Sequence, residues 1–210
     1  LPEGRLYEID MRLRPSGTQG PVAASLTSFH DYQLNEAWTW EHLALTRARA
    51  VAGDGDVAKD VEEVRREVLT SPHDAAKVIA DVADMRAKIA AAKSPAGPWE
   101  AKIGPGRLQD IELIAQTSAV IFGAFVQTVP EALDAAVRGG WLTDEEREAL
   151  SASYRLCWKL QMVSKLLSDK PLDPDSIGQG GCDMLLRETG AADVGALLAD
   201  LERVSAAAGA

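Results

Sequence analysis

The chain is poor in the residues that mark metal and disulfide frameworks. It has two cysteines and three histidines in 210 residues. Cys157 and Cys182 form no Cys-x-x-Cys pair, and so few histidines complete no zinc set. At most one disulfide could form, and the spacing points to reduced thiols of a cytosolic protein. No apolar run reaches the roughly 20 residues of a membrane span, and no secretory leader is visible. Positive charge is also short: 22 Lys and Arg stand against 32 Asp and Glu, a net charge of −10. A general nucleic-acid binder, which needs a basic face, is therefore disfavoured. A few local arginines could still hold the phosphates of a nucleotide. With 46% hydrophobic residues the chain can bury a sizeable core.

The residues that are present change period along the chain. Tyr7, Ile9, Met11 and Leu13 alternate with Glu8, Asp10, Arg12 and Arg14, which predicts a strand with one apolar and one charged face. Pro15-Ser16-Gly17 signals a turn, and residues 21–25 could return as a second strand. Such a hairpin is marginal alone. The sequence opens at Leu1 rather than Met, directly on this segment, which predicts a piece excised from a longer chain.

Beyond it the period is helical. Helices are predicted over 28–44, from Gly53-Asp54-Gly55-Asp56 to about 69, and from Ser71-Pro72 onward. The last carries the stripe Ala75, Val78, Val82, Met85, Ile89 and Ala92. A loop at 94–98 precedes a helix over 107–127 that is apolar nearly all round, as a central helix would be. A short helix over 130–138 closes at Gly139-Gly140. Thr143 with Glu146 fits a capping box and opens the stripe Ala149, Ser153, Leu156, Leu160, Val163 and Leu167. Pro171 and Pro174 break the chain. A last helix presents Val194, Leu197, Leu198, Leu201 and Val204. The predicted fold is mainly α, a helical bundle with a small N-terminal β-hairpin. The expected units are 1–52 and 53–210.

Several residues could carry chemistry. Asp10, on a strand face, could bind Mg²⁺ through hard oxygen, with Arg12 and Arg14 gripping phosphate oxygens. A solvated, cross-paired strand face explains the same three residues. In the stretch from Asn35 to His42, Trp38 and Trp40 cannot share one helix face; packing explains them better than base stacking. Glu36, Glu41 and His42 are acid–base candidates or solvated charges. Arg47 and Arg49 are phosphate candidates or surface charges. Gly104-Pro105-Gly106 precedes a helix N-terminus, where free N–H groups favour anions, with Lys102 beside it. It does not match the P-loop pattern. Asp110 and Glu112 suit the helix dipole there, although Glu112 between Ile111 and Leu113 could be partly buried. Asp54-Gly55-Asp56 imitates a metal pair, yet its glycines and its place between helices mark a turn or N-cap. Cys182 with Asp183 reads as another helix start.

Three stretches carry a resemblance. They are GRLYEIDMRLRPSG, NEAWTWEHLALTRARAVAGD, and the spaced set Lys102, Gly106, Asp110, Ile111 and Glu112. Over roughly residues 4–116 the chain resembles the bifunctional glutamine synthetase adenylyltransferase/adenylyl-removing family, and the form of the tryptophan motif resembles its carboxy-terminal, adenylylating half. The resemblance implies a nucleotidyltransferase that moves AMP from ATP to a tyrosine of glutamine synthetase, with Mg²⁺, under control of glutamine and a PII signalling protein. In that family a third carboxylate accompanies an Asp-x-Asp pair, and Asp10 matches it by motif. On this expectation Asp10 is the catalytic and metal residue, and Arg12, Arg14 and Lys102 bind nucleotide. Residues 1–52 would then be the end of a catalytic domain and 53–210 a helical domain. The Asp-x-Asp element is expected upstream of Leu1, so this chain alone should be inactive. Arg107 stands where the family often has Gly. The alternatives are the adenylyl-removing, phosphorolytic half, and a non-catalytic helical module that docks glutamine synthetase or PII.

Overall fold

The computed structural model describes residues 14–210. The expected first strand lies, but for Arg14, outside the described residues, and Asp10 and Arg12 lie outside with it. Nine α-helices follow among the described residues: α1 (Leu26–Asn35), α2 (Thr39–Leu45), α3 (Gly55–Thr70), α4 (Ala75–Ala92), α5 (Leu108–Ile121), α6 (Val129–Arg138), α7 (Asp144–Leu167), α8 (Gly178–Thr189) and α9 (Val194–Gly209). The mainly α reading holds. The return strand at 21–25 does not form, and the described residues contain no strand. The chain curls instead. Ser16 and Gly17 both take positive φ, and the Gly17 N–H closes on the Arg14 carbonyl at 2.8 Å. The Arg14 guanidinium then donates to the Gly20 carbonyl at 3.1 Å. Pro21 lacks a donor for a ladder, and Ser25 is taken as the N-cap of α1.

Other boundaries moved for local reasons. The helix expected over 28–44 is two helices. Between them Trp38 is extended and its N–H donates to the Glu41 carboxylate at 2.9 Å, which starts a new helix. Pro72 does not open α4. Asp74 caps it by accepting from the Lys77 N–H. Helix α5 stops at Ile121 rather than 127, where Gly123 turns left-handed at φ 59°. Helix α8 begins at Gly178, four residues before the start that Cys182 and Asp183 suggest. Asp54 is an N-cap as expected, accepting from the Asp56 and Val57 N–H groups. Both cysteines are free, Cys157 buried and Cys182 partly so.

The core is built around α5. Leu108 joins Leu160, Val163, Leu185, Leu197 and Leu201 beneath α7, α8 and α9. Leu113 and Val120 join Leu43, Leu45, Val64, Val68, Leu69 and Val78 from α2, α3 and α4. Ile111, Ala115 and Ala119 join Val129, Leu133 and Leu150 from α6 and α7. The all-round apolar character of this helix therefore has the predicted cause. The α7 and α9 stripes also face the core. The α4 stripe does not: only Val78 is buried, Val82, Met85 and Ile89 are half-covered, and Ala75 and Ala92 are exposed. Helix α4 lies at the edge of the described residues and packs mainly against α2 and α5.

Candidate functional site

The motif from Lys102 to Glu112 folds as a loop locked onto the start of α5. The Leu108 and Gln109 N–H groups donate to the carbonyls of Ala101 (3.2 Å) and Lys102 (3.0 Å). The Gly106 N–H reaches the Asp110 carboxylate at 3.3 Å. The Glu100 carboxylate accepts from the Lys102 and Ile103 N–H groups, and the Arg107 guanidinium donates to the Glu100 carbonyl. These donors are already engaged, so the N-terminus of α5 is not the open anion cradle expected from its glycines. Gly106 has a different purpose. It is buried at φ 64°, its carbonyl accepts from the Ser153 hydroxyl at 2.6 Å, and an added Cβ would lie 2.1 Å from the Ser205 carbonyl oxygen. The loop touches α9 backbone to backbone there, which a side chain would prevent. Arg107 instead staples the loop from outside.

Asp110 and Glu112 leave α5 in different directions. Asp110 holds Arg86 of α4 through two bonds of 2.9 and 2.6 Å. That bidentate pair forms one wall of a cavity of about 250 Å³ whose other lining includes Ile89, Lys93, Ile103, Pro105 and Leu113. Glu112 lies 3.5 Å from Arg47. Tyr154 of α7 completes this group: burial pushes its hydroxyl pKa up, and the Glu112 charge adds to that. Thus Arg47, Glu112 and Tyr154 are brought together, and Arg86 with Asp110 forms a second, separate pair. Both carboxylates face an arginine, so they stabilise charge and position helices rather than standing free as bases.

The remaining candidates are scattered. Glu41 is 4% exposed and accepts from the Tyr32 hydroxyl (2.9 and 3.1 Å) as well as from Trp38. It is committed to fixing the α1–α2 turn. Glu36 and Arg49 are exposed, and Trp38 is 70% exposed. Lys102 lies in a separate cleft with Lys165 and Lys170. The His42 ring Nε2–H donates to the Gln33 carbonyl at 2.9 Å, and the ring meets that of His73 edge-on at 5.2 Å. Among the described residues no three His, Cys, Asp or Glu side chains converge as metal ligands.

Sequence reasoning missed Arg65. It is 1% exposed. Its Nε donates to the Leu45 carbonyl at 2.8 Å, and one terminal nitrogen donates to the Thr46 (2.7 Å) and Val126 (2.6 Å) carbonyls. Glu62 pairs with it at 3.1 Å, and the Phe125 ring lies 4.4 Å below. A signal was available: Val61, Val64, Arg65, Val68 and Leu69 share one face at helical spacing, which places Arg65 inside it.

Comparison with known proteins adds a chemical context. The family model for glutamate-ammonia ligase adenylyltransferase matches residues 2–64. The model for the GlnD PII-uridylyltransferase matches residues 81–174. A bifunctional glutamine synthetase adenylyltransferase/adenylyl-removing enzyme of Rhizobium meliloti is 41% identical over 98% of this chain and 21% of its own length. The enzyme of the same name from Mesorhizobium japonicum is 42% identical over 97% of this chain and 21% of its own length. That of Bradyrhizobium diazoefficiens is 45% identical over 83% of this chain and 18% of its own length. The chain therefore spans about a fifth of the curated relatives it matches.

Proposed function

The chain is a homologue, over nearly its whole length, of a segment of the bifunctional glutamine synthetase adenylyltransferase/adenylyl-removing enzymes, and on that premise we propose that it works as part of a protein adenylyltransferase. The observation that carries this reading is identity of about 40% sustained from the catalytic-type motif through the last helix. The reaction is transfer of AMP from ATP to a tyrosine of glutamine synthetase, in a cytoplasmic setting, with PII protein and glutamine as regulators. The tryptophan motif from Asn35 to His42 supports the adenylylating half over the adenylyl-removing one.

In this reading Asp10 is the catalytic carboxylate and Arg12 and Arg14 face the nucleotide. The described residues offer no convergent donor set for Mg²⁺. What they supply is support. Helices α1 and α2 share their core with α3 and α5. Arg47, on the segment after α2, is tied to Glu112. A catalytic domain ending near residue 52 would thereby be fixed to the helical domain of 53–210. A second reading, a helical module that docks glutamine synthetase or PII, is favoured by the match of residues 81–174 to a PII-uridylyltransferase model.

The two separate in one experiment. Full-length protein is incubated with glutamine synthetase, labelled ATP and Mg²⁺. Asp10→Asn is expected to lower tyrosine labelling by orders of magnitude with an unchanged melting curve. The 210-residue chain alone is expected to give none, because one carboxylate cannot hold a metal–triphosphate for in-line attack. Full labelling by the Asp10→Asn protein would leave only the docking reading.

A further inference from the structure

Helix α7 presents one face to its core partners and leaves another bare. Trp158, Met162 and Leu166 are 50%, 45% and 69% exposed. Their spacing of four keeps them on one side of the helix. Leu160 and Val163, between them, are buried against α8 and α9. Single exposed apolar residues are ordinary, but three large ones in a row along one helix mark an interaction surface.

The charge around this stripe is unlike that of the molecule. Residues 155–170 carry Arg155, Lys159, Lys165 and Lys170 against the single acid Asp169, in a chain of net charge −10. Arg155 pairs with Glu148, and elsewhere Lys59 pairs with Asp56, Lys77 with Asp81 and Lys88 with Asp84, while Lys93 and Lys102 form no ion pair among the described residues. Lys159, Lys165 and Lys170 have no ion-pair partner among the described residues. Local cations left unmatched in an acidic chain call for negative charge from outside.

Shape narrows the occupant. The stripe runs between two clefts. One, of about 370 Å³ between α7 and α9, is lined by Leu156, Trp158, Lys159, Arg203 and Val204. The other, of about 320 Å³, holds Gln161, Ser164, Lys165 and Lys170 beside Trp99. A bilayer needs a flat or convex apolar surface. A ridge flanked by two grooves suits a rod of side chains that straddles it. A helix lying along α7 places apolar residues on Trp158, Met162 and Leu166 and sets its flanking carboxylates over the lysines.

We propose that the exposed face of α7 is a docking surface for an acidic amphipathic helix of another protein, with Trp158 as its apolar anchor. It stands apart from the adenylyl-transfer reading, in which Trp158, Lys159, Met162, Lys165 and Leu166 have no role.

The test places the photo-crosslinking residue p-benzoyl-phenylalanine at position 162 of the full-length protein in its own cells, with position 138 on α6 as control. Crosslinked peptides are identified by mass spectrometry. The expected result is crosslinking to a helix of another protein with net negative charge around the contact. The yield should fall about tenfold in Lys159→Glu/Lys165→Glu and about tenfold in Trp158→Ala. The two lysines are exposed and unpaired, so the double variant should keep its melting temperature, and it carries the test if Trp158→Ala folds poorly. Crosslinks to a second copy, to another segment of the same polypeptide, to lipid, or to nothing would overturn the proposal. So would a yield indifferent to the charge reversal.

Discussion

Arg65 shows how one buried side chain can join three segments. Its guanidinium closes the end of α2 by donating to the Leu45 and Thr46 carbonyls, and it also holds the backbone after α5 by donating to the Val126 carbonyl. The bonds to Leu45 and Thr46 are buried and the one to Val126 is partly so. Arg65→Met should therefore destabilise the chain by about 3–5 kcal/mol, since it removes the guanidinium that donates to all three carbonyls and leaves Glu62 without its partner. Arg65→Lys should recover only part of this, because an ammonium cannot reproduce the planar fork. Urea unfolding of the three proteins reads the difference. Equal stability of Arg65→Met and the parent chain would mean that the carbonyls find other partners. Glu41 is the acidic counterpart: a buried carboxylate whose charge is spent on Tyr32 and Trp38 and on the start of α2.

Helices α6 and α7 begin in the same way. Thr128 and Thr143 each accept from the third N–H of the helix, while Glu131 and Glu146 reach back to the threonine. Thr143→Ala should cost about 1 kcal/mol, seen as a lowered urea midpoint with an unchanged slope. The Thr143 box, the α7 and α9 stripes and the central place of α5 were legible because each rests on spacing within one helix. The split of α1 from α2 was not, because it depends on Glu41 reaching back across a turn. The exposure of α4 was not legible either: its stripe is regular, but a stripe does not say whether a partner lies opposite. For the candidate site, the motif residues around α5 are legible in the sequence, while their partners Arg86 and Tyr154 come from distant segments. Sequence spacing cannot show that Asp110 meets an arginine 24 positions earlier.

Across the whole molecule the acid limb of stability should have two parts. Burial pushes the His73 imidazole below its ordinary pKa of 6.5, and the nearby His42 adds to this. The folded state then binds fewer protons than the unfolded one as pH falls through 6.5. The His73 contribution is therefore present above that pH and lost below it. The hydroxyl and N–H groups of Thr128 hold the Glu131 carboxyl below its ordinary 4.5, and the Thr143 N–H and hydroxyl do the same for Glu146. Those contributions are present above 4.5 and lost as pH drops further. Melting temperatures recorded from pH 8 to pH 3 should decline gently at first and then steeply. His73→Gln should flatten the first part and leave the second. A first part unchanged by that variant would assign it to other groups.

Because α5 lends a side to each of the three core clusters, the described helices share no seam along which one half can open while the other stays shut. The amide hydrogens of residues 111–120 should accordingly exchange with deuterated water only through complete opening, at the slowest rate in the chain. Those on the outer turns of α4, with little resting on them, should exchange by local fraying.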